Sequence, residues 1–162
     1  WLGDRDGVRT PMQWTPDRNA GFSTANPGRL YLPPNLDPIY GYPSVNVEAQ
    51  RDSSTSLLNW TRTMLAVRRR HEAFATGAFR ELGGSNPSVL AYLREAGDEV
   101  MLCVNNLSRF PQPIELQLQH WASWTPVELT GHVPFPRIGQ LPYLLTLPGH
   151  GFYWFKLAEE GA

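Results

Sequence analysis

The clearest periodic signal in the chain is helical. Leu57, Trp60, Met64 and Val67 recur at spacings of three and four, flanked by Leu58 and Leu65, and predict a helix over residues 53–71. Ser53, Ser54 and Ser56 are candidate N-caps with Asp52 at the positive end of the dipole, and Arg68, Arg69, Arg70 and His71 place cations at the negative end. After residue 88 the period changes to two. Ile114, Leu116 and Leu118 alternate with Glu115 and Gln117. Short apolar runs at Val89 to Arg94, Glu99 to Asn105, Thr125 to Thr130, Tyr143 to Leu147 and Phe152 to Leu157 read as strands, the first two joined by a hairpin at Glu95-Ala96-Gly97-Asp98. Short strands at such intervals imply an antiparallel sandwich. Gly77 to Pro87, ending in the turn-rich break Gly83-Gly84-Ser85-Asn86-Pro87, reads as a hinge into this second unit.

Residues 1–52 carry neither period and read as loop and turn almost throughout, with turn signals at Asn26-Pro27-Gly28, Pro33-Pro34-Asn35 and Tyr42-Pro43-Ser44. An ordered loop of this length is usually functional. The stretch from Gly3 to Ser23 is dense in Gly, Pro, Asp and Arg, and Trp1 and Trp14 bracket its first half. Arginine offers a fixed fork of donors, Asp and Asn bond hydroxyl groups, and aromatic rings give flat apolar faces, so the composition suits a sugar. The structural alternative is a loop whose Arg and Asp residues pair with one another. Tyr31, Tyr40 and Tyr42 add further aromatic faces, which packing on a scaffold would equally explain.

Composition narrows the functional classes. A chain of 162 residues with 41% hydrophobic and 18% charged side chains can build a packed core, and disorder is not expected. The formal net charge of −1 argues against a nucleic-acid surface. No apolar run is long enough to span a bilayer and no signal peptide is recognisable, so no membrane role is expected. The single cysteine, Cys103, lies in an apolar run, reads as a buried inert thiol, excludes an internal disulfide and favours a cytoplasmic setting. His71, His120, His132 and His150 match no metal-ligand spacing, and there is no nucleophile elbow or phosphate loop. Two glycosylation triplets, at Asn59 and Asn106, are read as chance. The chain opens at Trp1 directly in irregular loop, from which a piece of a longer polypeptide is expected.

Several stretches resemble the alpha-amylase superfamily, glycoside hydrolase family 13. Arg9 to Trp14, Arg-Thr-Pro-Met-Gln-Trp, is similar to a core shared by its oligo-1,6-glucosidases, alpha-glucosidases and trehalose synthases. The longer text from Gly3 to Pro27, with Leu30 to Pro34, Val45 to Gln50 and Leu57 to Gly77, resembles the trehalose synthases among them. The resemblance implies a fragment of a (β/α)8 barrel, its last βα loop and last helix, over residues 1–80. An all-β antiparallel Greek-key sandwich then follows over 81–162. It implies an isomerase of maltose and trehalose working by retaining double displacement, with an alpha-glucosidase or oligo-1,6-glucosidase as the alternative. It places the nucleophile, acid/base and third carboxylate on barrel strands upstream of Trp1. No catalytic residue is then expected in this chain, which alone would be inactive. Asp4 and Asp6, a possible carboxylate pair by spacing, read instead as turn residues beside Gly.

The resemblance assigns substrate binding to Arg9. In relatives acting on terminal glucose, the arginine at this position pairs with an upstream aspartate and closes the pocket. No metal ligand or cofactor is expected here, and a calcium site would lie upstream. The implied partners are the sugars maltose and trehalose, the remainder of the polypeptide, further copies in a homo-oligomer, and a maltokinase. A different class of reading is a binding or assembly module, docking a partner on an edge strand or carbohydrate on a face marked by Trp121, Trp124 and Trp154.

Overall fold

The computed structural model describes residues 8–159. The chain forms two compact units, Trp1–Thr63 and Met64–Ala162. In the first, loops and single 3₁₀ turns predominate, as the aperiodic sequence implies. The exception is helix α1, Val47–Asp52, which the reading of residues 1–52 as loop misses. Its signal is local: Asn46 caps it by accepting the Ala49 N–H at 2.8 Å, and Glu48 lies in its first turn. At one turn and a half it is too short to show a period.

Helix α2, Leu57–Arg70, begins where Ser56 accepts the Asn59 N–H through its hydroxyl at 3.2 Å, so the cap is the last of the expected serines. The Asn59 amide donates to the carbonyls of Gln50, Arg51 and Ser53 at 2.9–3.1 Å and ties the end of α1 to the start of α2. Asn106, 3% exposed, likewise bonds backbone, donating to the Phe110 and Pro148 carbonyls and accepting from the Ser108 N–H. Both glycosylation triplets therefore centre on amides that hold the backbone.

The second unit is an antiparallel sandwich of two sheets. The larger has the order β1-β2-β3-β7-β5 and the smaller pairs β4 with β6. The strands are β1 Ala78–Leu82, β2 Val89–Ala96, β3 Glu99–Asn106, β4 Gln112–Leu116, β5 Thr125–Glu128, β6 Tyr143–Leu147 and β7 Phe152–Ala158. After β3 the chain crosses to β4, returns for β5, crosses again to β6 and comes back as β7 between β3 and β5. These crossings make the Greek-key arrangement. The expected hinge over Gly77 to Pro87 is corrected in its first half: β1 pairs with β2 from Ala78↔Glu95 to Leu82↔Ala91. β1 is an edge strand with four of its five residues exposed, so its sequence, Ala-Phe-Arg-Glu-Leu, lacks the alternation a half-buried strand shows.

One apolar core fills the space between the sheets. Ala91, Leu93, Leu102, Val104, Phe155 and Leu157 meet Ile114, Leu116, Leu145 and Leu147 from the smaller sheet. A second, smaller cluster lies on the opposite face of the larger sheet, where Met101 and Leu129 pack with Val67 and Ala73 and are joined by Phe74 and Trp154. β3 is therefore buried on both faces, which explains its unbroken run Val100 to Val104. Cys103 is fully buried there, and desolvation pushes its thiol up to about 11.

The link from α2 into the sandwich is polar. His71 Nδ1 lies 2.7 Å from Glu99 Oε1, the Ala73 N–H donates to Glu99 Oε2 at 2.9 Å, and Arg94 Nε donates to the Ala73 carbonyl at 3.1 Å. Burial raises the Glu99 carboxyl, but the Ala73 N–H and the His71 ring, with Lys156, outweigh it and hold it below the usual range.

Candidate functional site

The Arg-Thr-Pro-Met-Gln-Trp segment is extended and held by its neighbours within the first unit. Gln13 is the pin. Its side-chain amide donates to the Val45 carbonyl and, at 3.3 Å, to that of Tyr40. Its own carbonyl accepts the Val47 N–H at 2.9 Å, and the Trp14 carbonyl accepts the Glu48 N–H at 3.0 Å. The segment thus satisfies two of the orphan N–H groups at the start of α1. Pro11 is buried, and a groove of about 270 Å³ lined by Thr10 to Gln13 and Val45 to Val47 runs beside it. Downstream the chain turns back on itself. Asn19 and Ala20 both adopt positive φ, 55° and 58°, and the Ala20 carbonyl accepts from Trp14 and Thr15. The buried Asn19 amide donates to the Ser23 and Ala25 carbonyls at 2.8 Å each, so bonds offset the left-handed backbone.

Arg9 stands at the start of this pinned segment with its side chain exposed, and among the described residues no hydrogen bond or ion pair involves it. Met12, Trp14, Phe22, Tyr31 and Tyr40 are also exposed, at 45–87% of their surface. A shallow depression of about 650 Å³ is lined by Asp17, Arg18, Gly21, Phe22, Ser23 and Thr24, which sets an aromatic face beside a guanidinium and hydroxyls. Two acids of the unit, Asp17 and Asp37, are engaged locally. Asp17 accepts from Thr15 at 3.1 Å, and Asp37 accepts the Ile39 and Tyr40 N–H groups at 2.8 Å each. The Tyr40 and then the Ile39 N–H hold Asp37 below the usual carboxylate range. Asp4 and Asp6 lie outside the described residues. Among the described residues no group of three or more His, Cys, Asp or Glu could hold a metal ion.

The three tryptophans of the sandwich do not form one face. Trp121 is 5% exposed in the central core under the Arg80 guanidinium, 5.0 Å from its ring. Trp124 packs against that core from its margin, and Trp154 stacks on Phe74 at 4.9 Å on the opposite side of the sheet. The signals that sequence reading passes over are Gln13, Asn19 and Asn46. Only Asn46, a cap residue before Val-Glu-Ala, had a local signature; the others act on carbonyls that the fold alone brings near.

Two family models match the chain in succession: the alpha-amylase catalytic domain over residues 3–77 and the maltogenic amylase C-terminal domain over residues 79–154. The chain belongs to the alpha-amylase superfamily. It is 83% identical to the trehalose synthase/amylase TreS of Mycobacterium tuberculosis across all of this chain and 28% of that protein. It is 65% identical to the trehalose synthase of Pimelobacter sp., over 98% of this chain and 28% of the relative. The trehalulose synthase MutB of Pseudomonas mesoacidophila MX-45 superposes with a TM-score of 0.70 at 28% identity, over 94% of this chain and 26% of its own. The chain thus spans just over a quarter of the length of these superfamily members. Within the superfamily, the first unit and α2 correspond to the tail of the catalytic domain, and the sandwich to the C-terminal domain.

Proposed function

We propose that the polypeptide carrying this chain is a retaining intramolecular transglucosylase that interconverts maltose and trehalose. The observation that carries this reading is the 83% identity to a trehalose synthase/amylase over the whole of the chain, against 29% for an oligo-1,6-glucosidase of Bacillus cereus over 82% of it. In this reaction a carboxylate outside this chain attacks the anomeric carbon of the α-1,4 link and forms a glucosyl-enzyme, while an acid protonates the leaving oxygen. The released glucose stays in a closed pocket, turns, and returns its anomeric hydroxyl to the same carbon. Retaining that glucose is what separates isomerisation from hydrolysis.

The chain's own part is positional. Arg9, on a segment pinned by Gln13, is the substrate-binding residue. Among the described residues none takes up its fork, which in this reading pairs with a carboxylate and fences the terminal glucose. The chain by itself has no turnover. Incubating the full-length protein with maltose and analysing the sugars tests the reading. Trehalose as the main product supports it; glucose alone would place the protein with the alpha-glucosidases instead.

A further inference from the structure

The turn that follows the Arg-Thr-Pro-Met-Gln-Trp segment is built against backbone preference. Asn19, Ala20 and Gly21 take φ of 55°, 58° and 65°, and among the described residues no other neighbours share this left-handed conformation. L-residues visit the region singly, and alanine less readily than asparagine or glycine. Ala20 nevertheless adopts it with a Cβ and is fully buried. Gly21 has no substitute, since a Cβ there would lie 2.5 Å from Thr15 Oγ1. Strain of this kind persists only where surrounding bonds over-determine it, and it clusters at functional sites.

The Asn19 side chain supplies those bonds. It is 2% exposed, and its amide donates to the Ser23 and Ala25 carbonyls at 2.8 Å each. Its backbone carbonyl accepts the Phe22 N–H at 3.0 Å, so the outgoing arm is gripped at three points. On the incoming arm the Ala20 carbonyl accepts the Trp14 and Thr15 N–H groups at 2.9 and 3.1 Å. Trp14 is thereby held at its N–H by the turn and at its carbonyl by Glu48 of α1. One buried amide sets the spacing of two arms, and each carries an aromatic ring that is exposed in this chain, Trp14 at 45% and Phe22 at 53%. Asp17, Arg18, Gly21 and Phe22 line the depression of about 650 Å³, while Asn19 stays out of its lining.

We propose, resting on the transglucosylase reading, that Asn19 is a positioning residue for glucose retention. By holding the strained turn it keeps the Trp14 and Phe22 arms at the separation that closes the rim on the freed glucose. Two nucleophiles compete for the glucosyl-enzyme: the anomeric hydroxyl of the retained glucose gives trehalose, and water gives glucose. In both cases the bond from the anomeric carbon to the carboxylate breaks as the new C–O bond forms, and the acid/base takes the nucleophile's proton. A slack turn admits water and releases glucose, and it leaves the carboxylates, which lie outside this chain, as they were.

The full-length protein is assayed as wild type, Asn19→Asp and Asn19→Gly. Aspartate keeps the size of asparagine and its tolerance of the left-handed region, but sets a carboxylate against two carbonyls. Glycine keeps the backbone conformation and removes the amide. Each protein is given maltose, with trehalose and glucose quantified. Each is also given para-nitrophenyl α-glucoside, whose nitrophenol release reads glucosyl-enzyme formation without any need to retain glucose. The expected result in both variants is a glucose-to-trehalose ratio raised about tenfold or more, with kcat for nitrophenol release within about threefold of wild type. The ratio is independent of how much protein is folded, so a role in stability alone leaves it unmoved. Trehalose from wild type with the same ratio in a variant that still releases nitrophenol overturns this proposal and spares the transglucosylase reading. A fall in nitrophenol release as large as the fall in trehalose also overturns it, as does failure of both variants to fold. If only Asn19→Asp unfolds, Asn19→Gly decides. Glucose alone from wild type sinks the transglucosylase reading and this proposal with it.

Discussion

Arg9 and Glu99 show how differently two charged side chains of this chain are used. Arg9 is exposed, and no other described residue takes up its donors, whereas both Glu99 oxygens are occupied, by His71 and by the Ala73 N–H. Arg9→Lys keeps the charge and loses the planar fork, so in the full-length enzyme kcat/KM for maltose should fall by about 10²-fold, the scale of a misplaced substrate. Unchanged circular dichroism would separate this from unfolding, and near-wild-type kinetics would leave Arg9 without a substrate role. Glu99 makes a pH prediction. Its folded carboxyl titrates below its ordinary value of 4.5, so its contribution is fully present above that value and is lost as pH falls through the lower folded value. Glu99→Gln should lower the stability of the sandwich by about 1–3 kcal/mol at neutral pH and flatten the decline of stability with acid. Denaturant unfolding followed across the acid range reads both effects. An acid limb as steep in the variant as in wild type would show that other carboxylates govern it.

Elements in this chain are legible where burial is one-sided and opaque where it is not. β4 and β6 alternate cleanly because one face meets the core and the other does not. β1 is nearly all exposed and α1 too short to repeat, so neither shows a period. α2 buries Met64 and Val67, while Leu57, Trp60 and Leu65 of its apolar stripe remain 49–71% exposed in this chain. The hairpin joining β2 and β3 turns on Gly97 at φ 55°, with open space where a Cβ would stand. Gly97→Ala should therefore cost about 1 kcal/mol, from backbone strain alone. Gly149 differs, because a Cβ there would lie 2.2 Å from the Arg109 carbonyl oxygen. Gly149→Ala should cost more than Gly97→Ala, since backbone must move to admit it. Parallel unfolding curves for the two variants check the order, and a reversed order would contradict the turn geometry.

For the molecule as a whole, stability rests on a sandwich core that draws on both sheets. Phe155 is fully buried at its centre, with Phe135 at 4.8 Å and Tyr153 at 5.4 Å. Phe155→Ala should destabilise the sandwich by about 3–5 kcal/mol, and Phe155→Leu by less, in thermal or denaturant unfolding. The helix over α2, the strands after residue 88, the buried thiol and the superfamily were legible from the linear order of residues alone. Each of these is written in periodicity, in an apolar run or in a contiguous motif, and needs no distant partner to be read. That β3 is covered on both faces, that the three tryptophans are dispersed, and that Gln13 and Asn19 hold the loop became visible only in the folded chain. Those facts depend on which remote carbonyls, rings and strands meet, and such long-range pairings leave no periodic trace along the chain.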